Sequence, residues 1–296
     1  MKQSNIMKTV LINTGKILLL SFVLVSGLII SRIIIYKLGL IIPRMPQQAD
    51  EVTAVYYLFA GSLLLSGGFY FLTQNIAGSR IIKFLIIFLF MFIGFGIGVS
   101  IESSIYSDME SYNLIIIILF LPTLLFSIVS SIIYEPKQAS ESFITNLLNF
   151  FKKHSKGKWI WKFILAIISF PIIYFFFGIL VSPIVTIYYD ELVKGLFLPN
   201  PQTIIFIQLI RSTLFLLITI PIIINWTSGK THLILALGCA HFVMVFAYDF
   251  YLAIVMPIEL VLIHGIEILL DSFVYSWVLI RILNTRGEIA ANMIRK

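Results

Sequence analysis

Long apolar runs constrain this chain more than any other feature. LIIIILF at 114–120, FLIIFLFMFIGFGIG at 84–98 and LFLLITIPIII at 214–224 leave no room for the polar surface that a globule in water requires. Residues of the AVILMFWYC set make up 59% of the chain and charged residues 12%, with a mean hydropathy of +1.03. A soluble domain carries roughly a quarter charged residues. Hydrocarbon must therefore cover most of this protein, and only helices or closed barrels satisfy their backbone there. Runs near 20 residues match helices crossing a core about 30 Å thick, so the expected class is all-α and polytopic.

Windows of about 19 residues give eight expected helices, at 18–35, 54–74, 81–101, 113–134, 159–188, 203–225, 232–251 and 257–283. Lysine and arginine set the orientation, because cytoplasmic loops hold the excess. With the N-terminus inside, 16 of the 21 basic residues fall on inner segments and 4 on outer ones (Arg32, Lys37, Arg44 and Lys194). The remaining one, Arg211, lies inside a helix. Both termini are thus expected to be cytoplasmic in a multi-pass protein of the cell membrane. On this reading Glu102 and Asp249 belong to the outer side with Asp50, Glu51, Asp108, Glu110, Asp190 and Glu191. The net charge of +7 lies at membrane-flanking positions, which argues against nucleic acid as a partner. Cys239 has no second cysteine with which to form a disulfide.

The chain divides into a first four-helix half (1–134), a cytoplasmic linker (135–158) and a second four-helix half (159–296). In the linker, Phe143, Leu147, Phe150 and Phe151 recur at helical spacing ahead of Lys152 and Lys153, the pattern of an amphipathic helix on the inner leaflet, capped by Ser140 or Ser142. KLGLIIPRMPQ after the first span resembles KGLFLPNPQ after the fifth, a faint sign of a parallel repeat. Trp159, Trp161 and Trp226 are placed at the inner interface. The glycines at 61, 67, 68, 94, 96 and 98 read as sites of close helix packing.

Ionisable residues inside spans concentrate in the second half. At 100° per residue, His264, Glu267, Asp271 and Tyr275 fall within about 80° of one another on the eighth helix. Glu259, in the first turn, only complements the helix N-terminus. At about 1.5 Å per residue, His264, Glu267 and Asp271 lie roughly 10, 15 and 21 Å from the outer end, and Arg211 about 12 Å. Arg211 is therefore expected to pair with Glu267, beside Gln208, with His241 of the seventh helix nearby. The candidate binding cluster is Arg211, His241, His264, Glu267 and Asp271, with Gln208 and Tyr275 secondary.

A charge at mid-bilayer costs from about 2.5 to more than 10 kcal/mol and is usually paired or functional. If Arg211 neutralises Glu267, Asp271 is left without a cation and must bind a proton or cation, or face water. The leading expectation is a transporter or permease with a proton- or cation-linked intramembrane site, acting on a small molecule or ion. Two alternatives stand beside it. One is an intramembrane metal-dependent hydrolase or transferase, for which His264, Glu267, Asp271 and His241 would supply ligands. No HExxH, G-x-S-x-G or phosphate-loop pattern supports it, and a divalent metal enters only under that reading, with no cofactor expected otherwise. The other is an Arg–Glu pair that merely fixes helix packing.

Overall fold

The computed structural model describes residues 2–40, 51–107, 112–137, 141–189, 195–254 and 256–283. It contains no strand among the described residues. The helices are α1 (Lys2–Lys37), α2 (Glu51–Thr73), α3 (Arg80–Met91), α4 (Gly98–Tyr106), α5 (Tyr112–Ile133), α6 (Phe143–Lys152), α7 (Lys156–Ile187), α8 (Pro201–Ile224), α9 (Lys230–Leu252) and α10 (Ile258–Leu283). A π-helical turn, Phe92–Ile97, joins α3 to α4 into one continuous rod. Among the described residues, seven helices are long and apolar enough to cross a membrane, and the chain is a multi-pass membrane protein on that ground. α10 matches them in length at 26 residues but carries Glu259, Glu267, Asp271 and Arg281. The repeat's first copy, Ser140, and Arg44, Asp50, Asp108, Glu110, Asp190, Glu191 and Lys194 fall wholly or mostly outside the described residues.

Helix boundaries follow local chemistry. Asn200 caps α8, its Oδ1 accepting from Thr203 N at 2.8 Å, with Pro201 in the first turn where its missing N–H is harmless. Ser142 caps α6 through Thr145 N, and Ser79 caps α3 through Ile82 N. α1 begins well before the expected residue 18, because Lys2 to Lys16 continue the helix beyond the apolar run.

Small residues let the helices close up. A Cβ at Gly61 or Gly68 of α2 would collide with Tyr251 or Val243 of α9, and one at Gly94 with Met244 of α9. One at Gly238 or Gly265 would strike Phe273 or Phe246 across the α9–α10 contact. α9 is therefore the hub on which α2, α10 and the third rod converge, and the two sequence halves interlock through it. Gly67 differs from the others, having open space around it.

The two ends of the bundle differ. At one, the turns after α2, α5 and α8 are clamped together: Ala77 N donates to Asn225 O (2.9 Å), Thr227 N to Asn75 O (3.0 Å) and Lys137 Nζ to Asn75 Oδ1 (2.8 Å). Lys162 Nζ donates to Ile282 O, which brings the last turn of α10 to the same end. At the other end Phe197 N donates to Tyr106 O (3.1 Å) and ties the α7–α8 connection to α4.

Three expectations need correction. Trp159 and Trp226 are not interfacial anchors but are buried: Trp159 packs on Phe150 at 4.8 Å and donates Nε1 to Phe151 O, and Trp226 donates Nε1 to Gly229 O. α6 forms as expected, yet it turns Phe150 into the core, leaving Ile144 and Leu148 as its exposed apolar residues. Lys83 is no flanking residue, since it is completely buried, its Nζ donating to Tyr134 O just past the end of α5.

The closest approach of a glycine to another helix's backbone joins α1 to α5, where a Cβ on Gly27 would stand 2.6 Å from the Cα of Pro122, an atom that cannot swing away. Gly27→Ala should destabilise the folded protein by about 1–3 kcal/mol, as overpacking does, and Gly67→Ala should be neutral. Thermal unfolding in detergent checks this, and equal midpoints for the two variants would contradict the α1–α5 packing.

Candidate functional site

Four helices bring their polar groups together beneath the Tyr106 end of the bundle. Arg211 of α8 is 3% exposed and pairs with Glu102 of α4, Nη2 to Oε2 at 2.7 Å. Its Nη1 donates to Gln208 Oε1 at 3.2 Å, and the guanidinium lies over Phe170 and Phe215, 5.9 and 5.7 Å from the ring centres. The partner is not Glu267, as helix depths had led us to expect. Glu267 instead accepts from His264 Nδ1 at 2.9 Å, and His264 Nε2 lies 3.8 Å from Asp249 Oδ2 of α9. His264 therefore bridges two carboxylates on different helices. Gly178 of α7 makes room for the first of these, since a Cβ there would sit 3.2 Å from Glu267 Oε1.

Asp271 is 6% exposed, forms no ion pair among the described residues, and its Oδ1 has no hydrogen-bond partner. Arg211 Nε and Gln208 Nε2 are buried and equally without a hydrogen-bond partner. His241 is better satisfied: Nδ1 is hydrogen-bonded with Ser276 Oγ (3.1 Å), Nε2 with Thr219 Oγ1 (3.4 Å), and Phe90 and Phe215 flank the ring.

Two neighbouring cavities run through this cluster. The inner one, of about 30 Å³, is lined by Arg211, His241, His264, Asp271 and Tyr275 together with Glu102. That is room for roughly two waters, which need about 10–15 Å³ each by this measure. The outer one, of about 90 Å³, reaches toward the end of the bundle and is lined by Glu102, Asp249, His264, Tyr106, Tyr174 and Tyr189, among others. The cavities share Glu102, Tyr174, Val245 and His264 in their walls. The Tyr106 and Tyr174 hydroxyls meet at 2.5 Å beside that shared wall.

Of the five expected residues, Arg211, His241, His264 and Asp271 line the inner cavity, and Glu267 joins through His264. Gln208 and Tyr275 lie where expected, beside Arg211 and in the inner wall. Two acids outside the expected cluster, Glu102 and Asp249, also line the cavities. Glu102 was passed over because the apolar run ends at Ile101, whereas the helix continues to Tyr106. It follows Gly94 and Gly98 at four-residue intervals, and that small-residue face was a signal pointing inward. Asp249 falls two turns after His241 on the same face of α9. The first half thus contributes charge to the interior: Lys83 is fully buried and Glu102, partly buried, pairs with the buried Arg211.

Among the described residues, no three His, Cys, Asp or Glu side chains converge closely enough to hold a metal ion. The chain matches no protein family, no curated protein and no solved structure.

Breaking a buried pair by removing one partner costs about 3–5 kcal/mol, whereas replacing both by apolar groups is often neutral. Arg211→Met alone and Glu102→Met alone should each lower the yield of folded, monodisperse protein, and the double variant should recover it. Recovery by Arg211→Met with Glu267→Met in its place would contradict the assigned pairing.

Proposed function

We propose that this protein is a membrane transporter or permease whose cycle is linked to protons or a cation at the cluster below Tyr106. The carrying observation is a charge imbalance. Glu102, Asp249, Glu267 and Asp271 meet one guanidinium and one bridging imidazole, along cavities that lead to one end of the bundle. Carboxylates removed from water without partners carry a large desolvation penalty. A site of this kind is stable only when a proton or another cation fills it, and exchange of one for the other couples two fluxes. Arg211 holds Glu102 in place, His264 links Glu267 to Asp249, and Asp271 is the acceptor left free. The accompanying topology has α10 as an eighth span, with both termini on the cytoplasmic side of the cell membrane. Collection of the basic turns at the end away from the cavities supports it.

Proteoliposomes with an imposed pH gradient and a lumenal pH dye, challenged with a panel of cationic, anionic and neutral solutes, test this reading. At least one solute should drive proton movement, and Asp271→Asn, reconstituted in equal amount, should lose about tenfold or more of it. Unchanged flux in Asp271→Asn, or no solute moving protons, would overturn the proposal. The buried Arg211–Glu102 pair favours one second reading, a purely structural role, under which the double methionine variant would keep full activity; transport predicts that it folds and does not function.

A further inference from the structure

Resting on that reading, we infer that the transported solute is a small organic cation, received in the outer cavity between Asp249 and the tyrosine rings. The first argument is charge. Arg211 is the only guanidinium at the cluster among the described residues, and Glu102 occupies it, so the outer wall offers an anionic solute no free positive group. That wall instead presents carboxylates. Asp249 Oδ2 lies buried at 3.8 Å from His264 and has no hydrogen-bond partner. The deeper Asp271 Oδ1 is likewise unpartnered on a residue 94% buried, at the floor of the inner cavity.

The second argument is the chemistry of the wall. Tyr106, Tyr174 and Tyr189 line the outer cavity together with Leu260, Val261 and Met256. Aromatic faces attract an ammonium whose charge is spread over alkyl groups, and apolar side chains take up its body. Size gives the third argument. A cavity of about 150 Å³ holds benzene, with six non-hydrogen atoms, so the outer cavity's 90 Å³ together with the adjoining 30 Å³ admits a cation of roughly five. Access to Asp271 runs past the Tyr106–Tyr174 contact, which stands where the two cavities adjoin.

The probe is tetramethylammonium, compared with the neutral tert-butanol, which has the same number of non-hydrogen atoms, and the somewhat larger anion pivalate. Calorimetry on the full chain in detergent should show saturable binding of tetramethylammonium only. Asp249→Asn, verified as monodisperse, should weaken it about tenfold or more. Tyr106→Phe should retain most of the affinity and Tyr106→Leu should lose it, because only the first keeps the ring. Equal or tighter binding of tert-butanol or pivalate, or full affinity in Asp249→Asn, would overturn the inference. Proton-linked flux dependent on Asp271 without tetramethylammonium binding would sink the cation assignment and leave transport standing. Tetramethylammonium binding with no proton-linked flux for any solute would do the reverse.

Discussion

The Arg211–Glu102 pair is the interaction on which the site depends. A guanidinium 3% exposed among apolar helices is tolerable only with a carboxylate at hydrogen-bond distance, and α4 supplies one at 2.7 Å. That contact ties the end of the third rod to the middle of α8. It also removes Arg211 from the pool of charges able to neutralise α10. Glu267 must then rely on His264, which is already shared with Asp249, and Asp271 is left with none. One buried pair thus determines both the packing and the surplus of negative charge.

Packing around α9 makes such a surplus sustainable. The glycines at 61, 68, 94, 238 and 265 let α2, the third rod and α10 press against α9 at distances that a methyl group would forbid. α9 in turn carries His241 and Asp249 on one face. The polar groups are held by a tightly closed frame and line two small neighbouring cavities. At the opposite end, turns hydrogen-bonded through Asn75 and the buried Lys83 close the bundle.

Much of this was legible in the residues. Apolar runs pointed to the helical class, to most of the membrane-length helices and to the amphipathic helix behind Ser142. The stripe of His264, Glu267, Asp271 and Tyr275 pointed to α10 as the polar helix. Pairing was not legible, because depth along a helix says which groups share a level but not which neighbour faces which. Arg211 and Glu267 lie at similar depth, yet Glu102 of α4 holds the guanidinium. Glu102 was obscured by a change in composition after Ile101, where an apolar run ended and a helix did not. Trp159 and Trp226 show the same limit: an indole near a span end reads as interfacial until a phenylalanine-rich neighbour or a tight turn buries it.

The central claim is that a proton and a cation compete for the carboxylates whose oxygens are left unpartnered, Asp249 and Asp271, because Arg211 is taken by Glu102 and His264 is shared with Glu267. Titrating tetramethylammonium into the purified protein in weakly buffered solution, with a pH indicator present, tests it most directly. The account predicts stoichiometric proton release, about one proton for each cation bound. Binding without any proton release would contradict it.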